Sequence, residues 1–404
     1  MDSTVVNGYC EKLISGMLNK QHVEDIEDDR YSHVVSRSQS RFAAPISSNR
    51  ILNLEFHPSG HYMAYSREDG SLTVWRLANV SFARSKKMVI PSAMIRWVSW
   101  NHQEISEFAT CSGSHELFIW GVDEKKREIV KLRTLSSGNK NNKIDRCVFD
   151  PQGRWLLSQH GLSLQFWDVK SDYGLQQSYQ LEELDSTASD DDVITAVVWT
   201  NSGSHVIVGL HSGKVCVLQV GQDSVRPVLS IEAHRSAVTS MVIDPWGRKL
   251  VTGGADGSCN IWELATMCCT RTIDKHARIC SMDVDPLGKI LAVTTADNTV
   301  HFYDTNEGQL LASQNLKTTE SDPLIKFYPD KSWFILSGRD DSIERHFTPN
   351  NYNDLISFYK VDNEKQNPRS RVHIHRKPTK RESKERGRVS KWDFPKASRF
   401  NDRF

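Results

Sequence analysis

Apolar and polar residues alternate along most of this chain in short runs, as in Arg146-Cys147-Val148-Phe149, and the runs recur in a fixed order. A strand-like run leads into a turn of the form x-Pro-x-Gly or a degraded version of it, and a second run follows. The turns are HPSG (57–60), DPQG (150–153), TNSG (200–203), DPWG (244–247), DPLG (285–288) and YPDK (328–331). About 15 residues beyond each turn a third run ends in a large apolar residue: Trp75, Trp120, Trp167, Leu218, Trp262, Tyr303 and Tyr359. Successive gaps are 45, 47, 51, 44, 41 and 56 residues, close to the roughly 40–45 residues of a four-stranded propeller blade. Second and third runs are joined at Asp69-Gly70, His160-Gly161, Ser212-Gly213, Asp256-Gly257 and Asp297-Asn298, the chemistry of tight hairpins. Repeated hairpins without helical periodicity predict an all-β chain. Seven repeats fall within the range of about four to eight that closes a propeller and hides most strand edges.

The clearest repeat, AHRSAVTSMVIDPWGRKLVTGGADGSCNIWEL (233–264), resembles a WD40 repeat, with Ala233-His234 in place of its Gly-His pair and Trp262-Glu263 in place of Trp-Asp. The expected architecture is therefore a seven-bladed WD40 β-propeller. The resemblance implies a buried hydrogen-bonded network of His234, Thr252, Asp256 and Trp262. A buried Asp and His are costly unless each finds partners, so a satisfied chain of four fixes one blade geometry. The same set superficially resembles a catalytic triad, but Thr252 lies in mid-strand without the exposed elbow that a nucleophile needs. Among the repeats only Trp167-Asp168 keeps the literal Trp-Asp pair, so the other blades are expected to rely more on apolar packing.

The last repeat departs most. Its second strand, WFILSG (333–338), is separated from the expected third strand, LISFYKV (355–361), by a polar insertion from Arg339 to Asp354. Its outer strand is assigned to the segment near Val34 to Phe42, so that both ends of the ring clasp one blade. The domain reading is a flexible acidic N-terminal segment (1–27), the propeller closed by the N-terminal strand (28–361) and a disordered basic C-terminal tail (362–404).

Charge separates the parts. The 404 residues carry a net +1. From Lys365 to Phe404 there are 14 Lys or Arg against 4 acids, a +10 that leaves −9 for the remainder. The tail has too few large aliphatics to fold alone. Its cations Arg376, Lys377, Lys380, Arg381, Lys384, Arg386 and Arg388 fit nuclear import and weak RNA contact, with Trp392 available to stack on a base or anchor in a partner. No apolar run reaches the roughly 18 residues of a bilayer span, and the start lacks a signal-peptide pattern, so no membrane role is expected. The eight cysteines form no C-x-x-C pair. Several of them, such as Cys147, fall inside apolar alternating stretches and read as small buried hydrophobes in a reducing compartment, without a metal site.

Several strings outside the WD consensus resemble a narrower family, the WD-repeat subunit of the THO complex in its fungal form. They are EDDRYSHVVSRSQSRF (27–42), MAYSREDGSLTVW (63–75), KLRTLSSG (131–138), DPWGRK (244–249) and KFYPDKSWFILSG (326–338). The resemblance implies a nuclear, non-catalytic scaffold that docks on the large helical THO subunit. It further implies indirect association with a DEAD-box RNA helicase and an mRNA export adaptor, coupling transcription elongation to mRNP assembly and nuclear mRNA export.

In WD propellers the usual binding face carries the turns between second and third strands. The repeat register puts Arg50, Arg96, Lys143 and Arg278 there from first-strand positions, joined by Glu68 and Arg339 from the turns. This mostly cationic set suits an acidic helix, an acidic or phosphorylated peptide, or a phosphate backbone; ordinary solvated charge is the bland alternative. A phosphopeptide-reading ubiquitin-ligase receptor or a histone-binding propeller is the rival non-enzymatic role. The acidic loop Glu182–Asp192 reads as a solvated insertion. Leu13, Ile14, Met17 and Leu18 stand at helical spacing within 9–20, a candidate partner-binding helix. Phosphate-binding, serine-hydrolase and zinc-protease motifs are absent, and no cofactor is expected.

Overall fold

In each Asp-Pro-x-Gly turn the aspartate side chain does the work of closing the chain. Asp244 Oδ1 accepts from the backbone N–H of Arg248 at 2.6 Å and Lys249 at 2.7 Å. Asp150 and Asp285 do the same for Arg154–Trp155 and Lys289–Ile290. The glycine then takes a positive φ, +65° at Gly247, which favours a residue without Cβ. Two strands are thereby set antiparallel with their registers fixed.

A computed structural model describes residues 37–41, 50–77, 86–90, 94–126, 128–136, 143–181, 192–274, 277–316, 322–329, 333–337 and 343–347. Among them there is no α-helix, and every sheet is antiparallel and four-stranded. Six blades, spanning 51–90, 97–136, 146–180, 194–232, 238–274 and 279–315, are each built of four consecutive strands. The remaining sheet is composite: Arg37–Arg41 pairs with Ile343–Phe347, which pairs with Trp333–Ser337 and then Ile325–Phe327. The fold is a β-propeller in which six blades are continuous in sequence and one sheet joins residues from both ends.

That composite sheet corrects the reading of the last repeat. Its third strand is Ile343–Phe347 rather than 355–361, and it lies inside the stretch assigned to an insertion. The physical reason is turn length: Gly338-Arg339-Asp340-Asp341-Ser342 is rich in turn formers, and a short hairpin costs less ordering than a long structureless loop. The N-terminal strand falls within the expected 34–42 window. The 1–27 segment with its candidate helix, Arg339, residues 182–191 of the acidic loop and the tail with Arg376, Lys377, Lys380, Arg381, Lys384, Arg386, Arg388 and Trp392 lie outside the described residues.

The core sits between neighbouring blades. Trp155, Leu157 and Phe166 of the third blade pack on Trp199, Val206 and Val208 of the fourth, with Phe166 edge-on to Trp199 at 6.0 Å. Burial of each such side chain contributes about 1.5–3 kcal/mol. The turns add a ladder around one face. The Gln152 amide donates to the Asn201 carbonyl at 3.0 Å, the Asn201 amide to Pro245 at 2.9 Å and the Trp246 indole to Leu287 at 3.0 Å. The composite sheet joins the ladder through the Tyr328 hydroxyl, which donates to the Gly60 carbonyl of the first blade. On its other side Phe334 packs on Phe302 at 5.3 Å. The inner strands of all seven sheets surround a central channel of about 460 Å³.

Candidate functional site

The network predicted in the fifth blade is assembled by strand register. Thr252 pairs across the sheet with Asn260, and Leu250 with Trp262, so the hydroxyl lies diagonally under the indole. The Trp262 indole N–H donates to Thr252 Oγ1 at 3.0 Å, and Thr252 Oγ1 lies 2.8 Å from His234 Nε2. His234 Nδ1 faces Ser258 Oγ at 2.8 Å and Asp256 Oδ1 at 3.3 Å. The Ser258 hydroxyl donates to Asp256 Oδ1 at 2.7 Å. The consistent proton assignment puts hydrogen on Nδ1 and leaves Nε2 to accept from Thr252.

The four residues are brought together, and Ser258, which the sequence reading missed, makes a fifth. Burial holds the His234 pKa below its ordinary value against the pull of Asp256, so the ring stays neutral. Burial alone pushes the Asp256 carboxyl upward, but donors from Ser258 and Arg235 outweigh it and leave it below the usual range. Thr252 is fully buried, and its hydroxyl is committed to two partners. The arrangement has the chemistry of a structural clamp.

Other blades keep parts of it. The Trp120 indole donates to Thr110 Oγ1 at 2.8 Å, and the Trp167 indole to Ser158 Oγ at 3.0 Å, with His160 Nε2 at 3.1 Å from the same hydroxyl. A hydroxyl nine or ten residues before each tryptophan was the available signal.

The face opposite the x-Pro-x-Gly turns carries the predicted cations. Glu68 N–H donates to the Arg50 carbonyl at 2.8 Å, and Ala296 N–H to Arg278 at 2.8 Å, so second-to-third turns and first-strand starts meet there. Arg50 and Arg278 are not free. Both guanidinium groups clamp the Asp322 carboxylate, Arg50 at 2.6 Å. Burial raises the Asp322 pKa, but the two cations reverse that and hold it below the ordinary value. Glu68, Arg96 and Lys143 are exposed, and among the described residues neither Arg96 nor Lys143 makes an ion pair. Met94 (66 % exposed, φ +54°) and Val193 (43 %) add apolar surface at first-strand starts. Exposed cations and apolar side chains therefore share this face with the exposed carboxylates of Glu68, Asp69 and Asp145.

Asp192 departs from the solvated reading of its loop. It is buried, and its carboxylate accepts from Val193 N–H and Ser212 N–H, each at 3.0 Å, capping a hairpin. Cys111, Cys147, Cys216 and Cys259 are buried, and burial pushes the Cys259 thiol up to about 12.

This repeated blade with a His-hydroxyl-Trp clamp defines a WD-repeat β-propeller. The WD40 family (WD domain, G-beta repeat) matches residues 225–263 and 267–304, each the outer strand of one blade followed by the first three strands of the next, the fifth and the sixth. The β-propeller domain of Myceliophteria thermophila Cps50 (Swd1) superposes with a TM-score of 0.62 at 15 % identity, covering 78 % of this chain and 100 % of that one. Protein TEX1 of Saccharomyces cerevisiae is 39 % identical over 366 residues, covering 89 % of this chain and 86 % of that protein. THO complex subunit 3 of Arabidopsis thaliana is 21 % identical over 232 residues, 56 % of this chain and 67 % of that protein. The chain belongs to the family of protein TEX1.

Proposed function

We propose that this chain is a non-catalytic scaffold subunit of a THO complex, acting in the nucleus to couple transcription elongation to mRNP assembly and nuclear mRNA export. The observation that carries the reading is the end-to-end similarity to TEX1, joined by a weaker likeness to a protein named as a THO subunit. Under it, the composite sheet counts as the seventh blade of a closed ring. The face with Arg96, Lys143, Glu68 and Met94 docks on the large helical THO subunit through its charges and apolar patch. The DEAD-box helicase and export adaptor are reached through that subunit, and the basic tail supplies import and weak RNA contact.

Affinity purification of the tagged protein from nuclear extract tests the reading. Recovery of the large THO subunit is the expected result, and its absence refutes the proposal. A second reading, a receptor for acidic or phosphorylated peptides, draws on Arg96 and Lys143, which make no ion pair among the described residues. Phosphate-dependent peptide capture without THO subunits would favour it.

A further inference from the structure

On the face opposite the x-Pro-x-Gly turns, the six continuous blades are entered through one equivalent position. It lies seven residues ahead of His57, Asn101, Asp150, Thr200, Asp244 and Asp285 and is filled by Arg50, Met94, Lys143, Val193, Ala237 and Arg278. The residue after each is a buried isoleucine or valine. In the first, fourth, fifth and sixth blades the carbonyl at this position accepts a backbone N–H from the second-to-third turn at 2.8–2.9 Å. The six residues therefore form a ring at one height around the channel.

One half of that ring already holds a carboxylate. Asp322, which leads into the composite sheet between the sixth and first blades, is clamped by Arg278 on one side and Arg50 on the other. On the other half, Lys143 of the third blade stands between Met94 (66 % exposed) and Val193 (43 %). A second cation is close by. An added Cβ at Gly113 would stand 3.5 Å from Arg96 Nη1, and the next residue, Ser114, accepts from Ile144 N–H at 2.7 Å, so Arg96 and Lys143 flank one turn. Neither makes an ion pair among the described residues.

The charges of opposite sign narrow what fits. Glu68, Asp69 and Asp145 are exposed on this face, with Asp69 turned to Ser71 N–H at 2.9 Å and Asp145 to Gly161 N–H at 3.4 Å. A polyanion such as a nucleic-acid backbone is repelled by them. A single carboxylate with apolar neighbours can settle at Lys143 and Arg96 while its neighbours cover the exposed aliphatic surface on either side. The thioether of Met94 suits that role, because its unbranched chain adapts to a partner's shape.

We propose that this half of the ring binds a partner-protein segment carrying one aspartate or glutamate between two large apolar residues. The carboxylate pairs with Lys143 and Arg96, as Asp322 does with Arg50 and Arg278, and the apolar residues cover Met94 and Val193. The inference rests on the reading of this face as a docking surface and not on the partner's being a THO subunit.

The test is selection of a displayed library of random dodecapeptides on the purified full chain, with the affinities of recovered peptides measured by fluorescence anisotropy. Recovered peptides are expected to carry one acidic residue with a large apolar residue within about four positions on each side. Replacing that acid by its amide should weaken binding about tenfold, and Met94→Ser or Val193→Ser in the protein should each cost about the same factor. An Arg96→Glu/Lys143→Glu protein is expected to select lysine or arginine at the central position, a change of preference that misfolding does not produce. Peptides without the acid, acidic runs without apolar flanks, no recovered peptides, or an unchanged preference in the charge-reversed protein would each overturn the proposal. Because the selection uses purified protein, its failure is a separate result from the absence of the large THO subunit in a nuclear-extract purification.

Discussion

Thr252→Val separates hydrogen bonding from packing in the fifth-blade clamp, because valine keeps the shape of threonine and removes only its hydroxyl. That hydroxyl accepts from the Trp262 indole at 3.0 Å and lies 2.8 Å from His234 Nε2. Without it a buried donor and a buried acceptor are stranded, at about 1–3 kcal/mol each, so the expected loss is about 2–6 kcal/mol. Thr252→Ser keeps the hydroxyl and removes one buried methyl, for about 1 kcal/mol. The expected order of stability is therefore wild type, serine, then valine. Urea titrations followed by tryptophan fluorescence measure it, and equal slopes ensure that midpoint differences report stability. A valine variant as stable as wild type, or a serine variant less stable than valine, refutes the clamp and returns the site to simple packing.

Three further outcomes follow from single residues. Gly213 has φ +93°, and an added Cβ would stand 2.2 Å from the His234 carbonyl oxygen; Gly213→Ala should cost about 3 kcal/mol or more, read as a lowered urea midpoint. Burial holds Asp285 at about 6 against the ordinary 3.8, with the N–H groups of Ile290 and Lys289 opposing. The native state therefore keeps a proton that the unfolded chain releases, so this contribution is full below pH 3.8, is lost as pH rises to about 6 and is flat beyond. Asp285→Asn should flatten the pH 4–6 limb of the stability profile, and an unchanged limb would contradict the assignment. Asp322→Asn frees Arg50 and Arg278 at a partly exposed site and should tighten an acidic helical peptide by no more than about fivefold. Fluorescence anisotropy would record that gain at low salt and its loss at high salt.

Local chemistry made much of the fold legible. The x-Pro-x-Gly and Asp-Gly turns announce themselves, because aspartate capping and positive φ each demand particular residues. His234, Thr252, Asp256 and Trp262 were readable for the same reason. What was hidden depends on long-range closure. Asp322 meets Arg50 across 272 residues, and nothing near either one signals the pairing. The third strand of the composite sheet was misassigned because 355–361 is more apolar than Ile343–Phe347, although the shorter turn decides.

The central claim is that one charged face of this propeller holds it in a THO complex. Its most direct test is quantitative purification from nuclear extract of the tagged wild type beside an Arg96→Glu/Lys143→Glu variant, with both proteins checked for equal melting. The account predicts that the large THO subunit accompanies the wild type and is depleted about tenfold or more with the variant. Equal recovery of that subunit by both proteins, or its absence from the wild type, would contradict it.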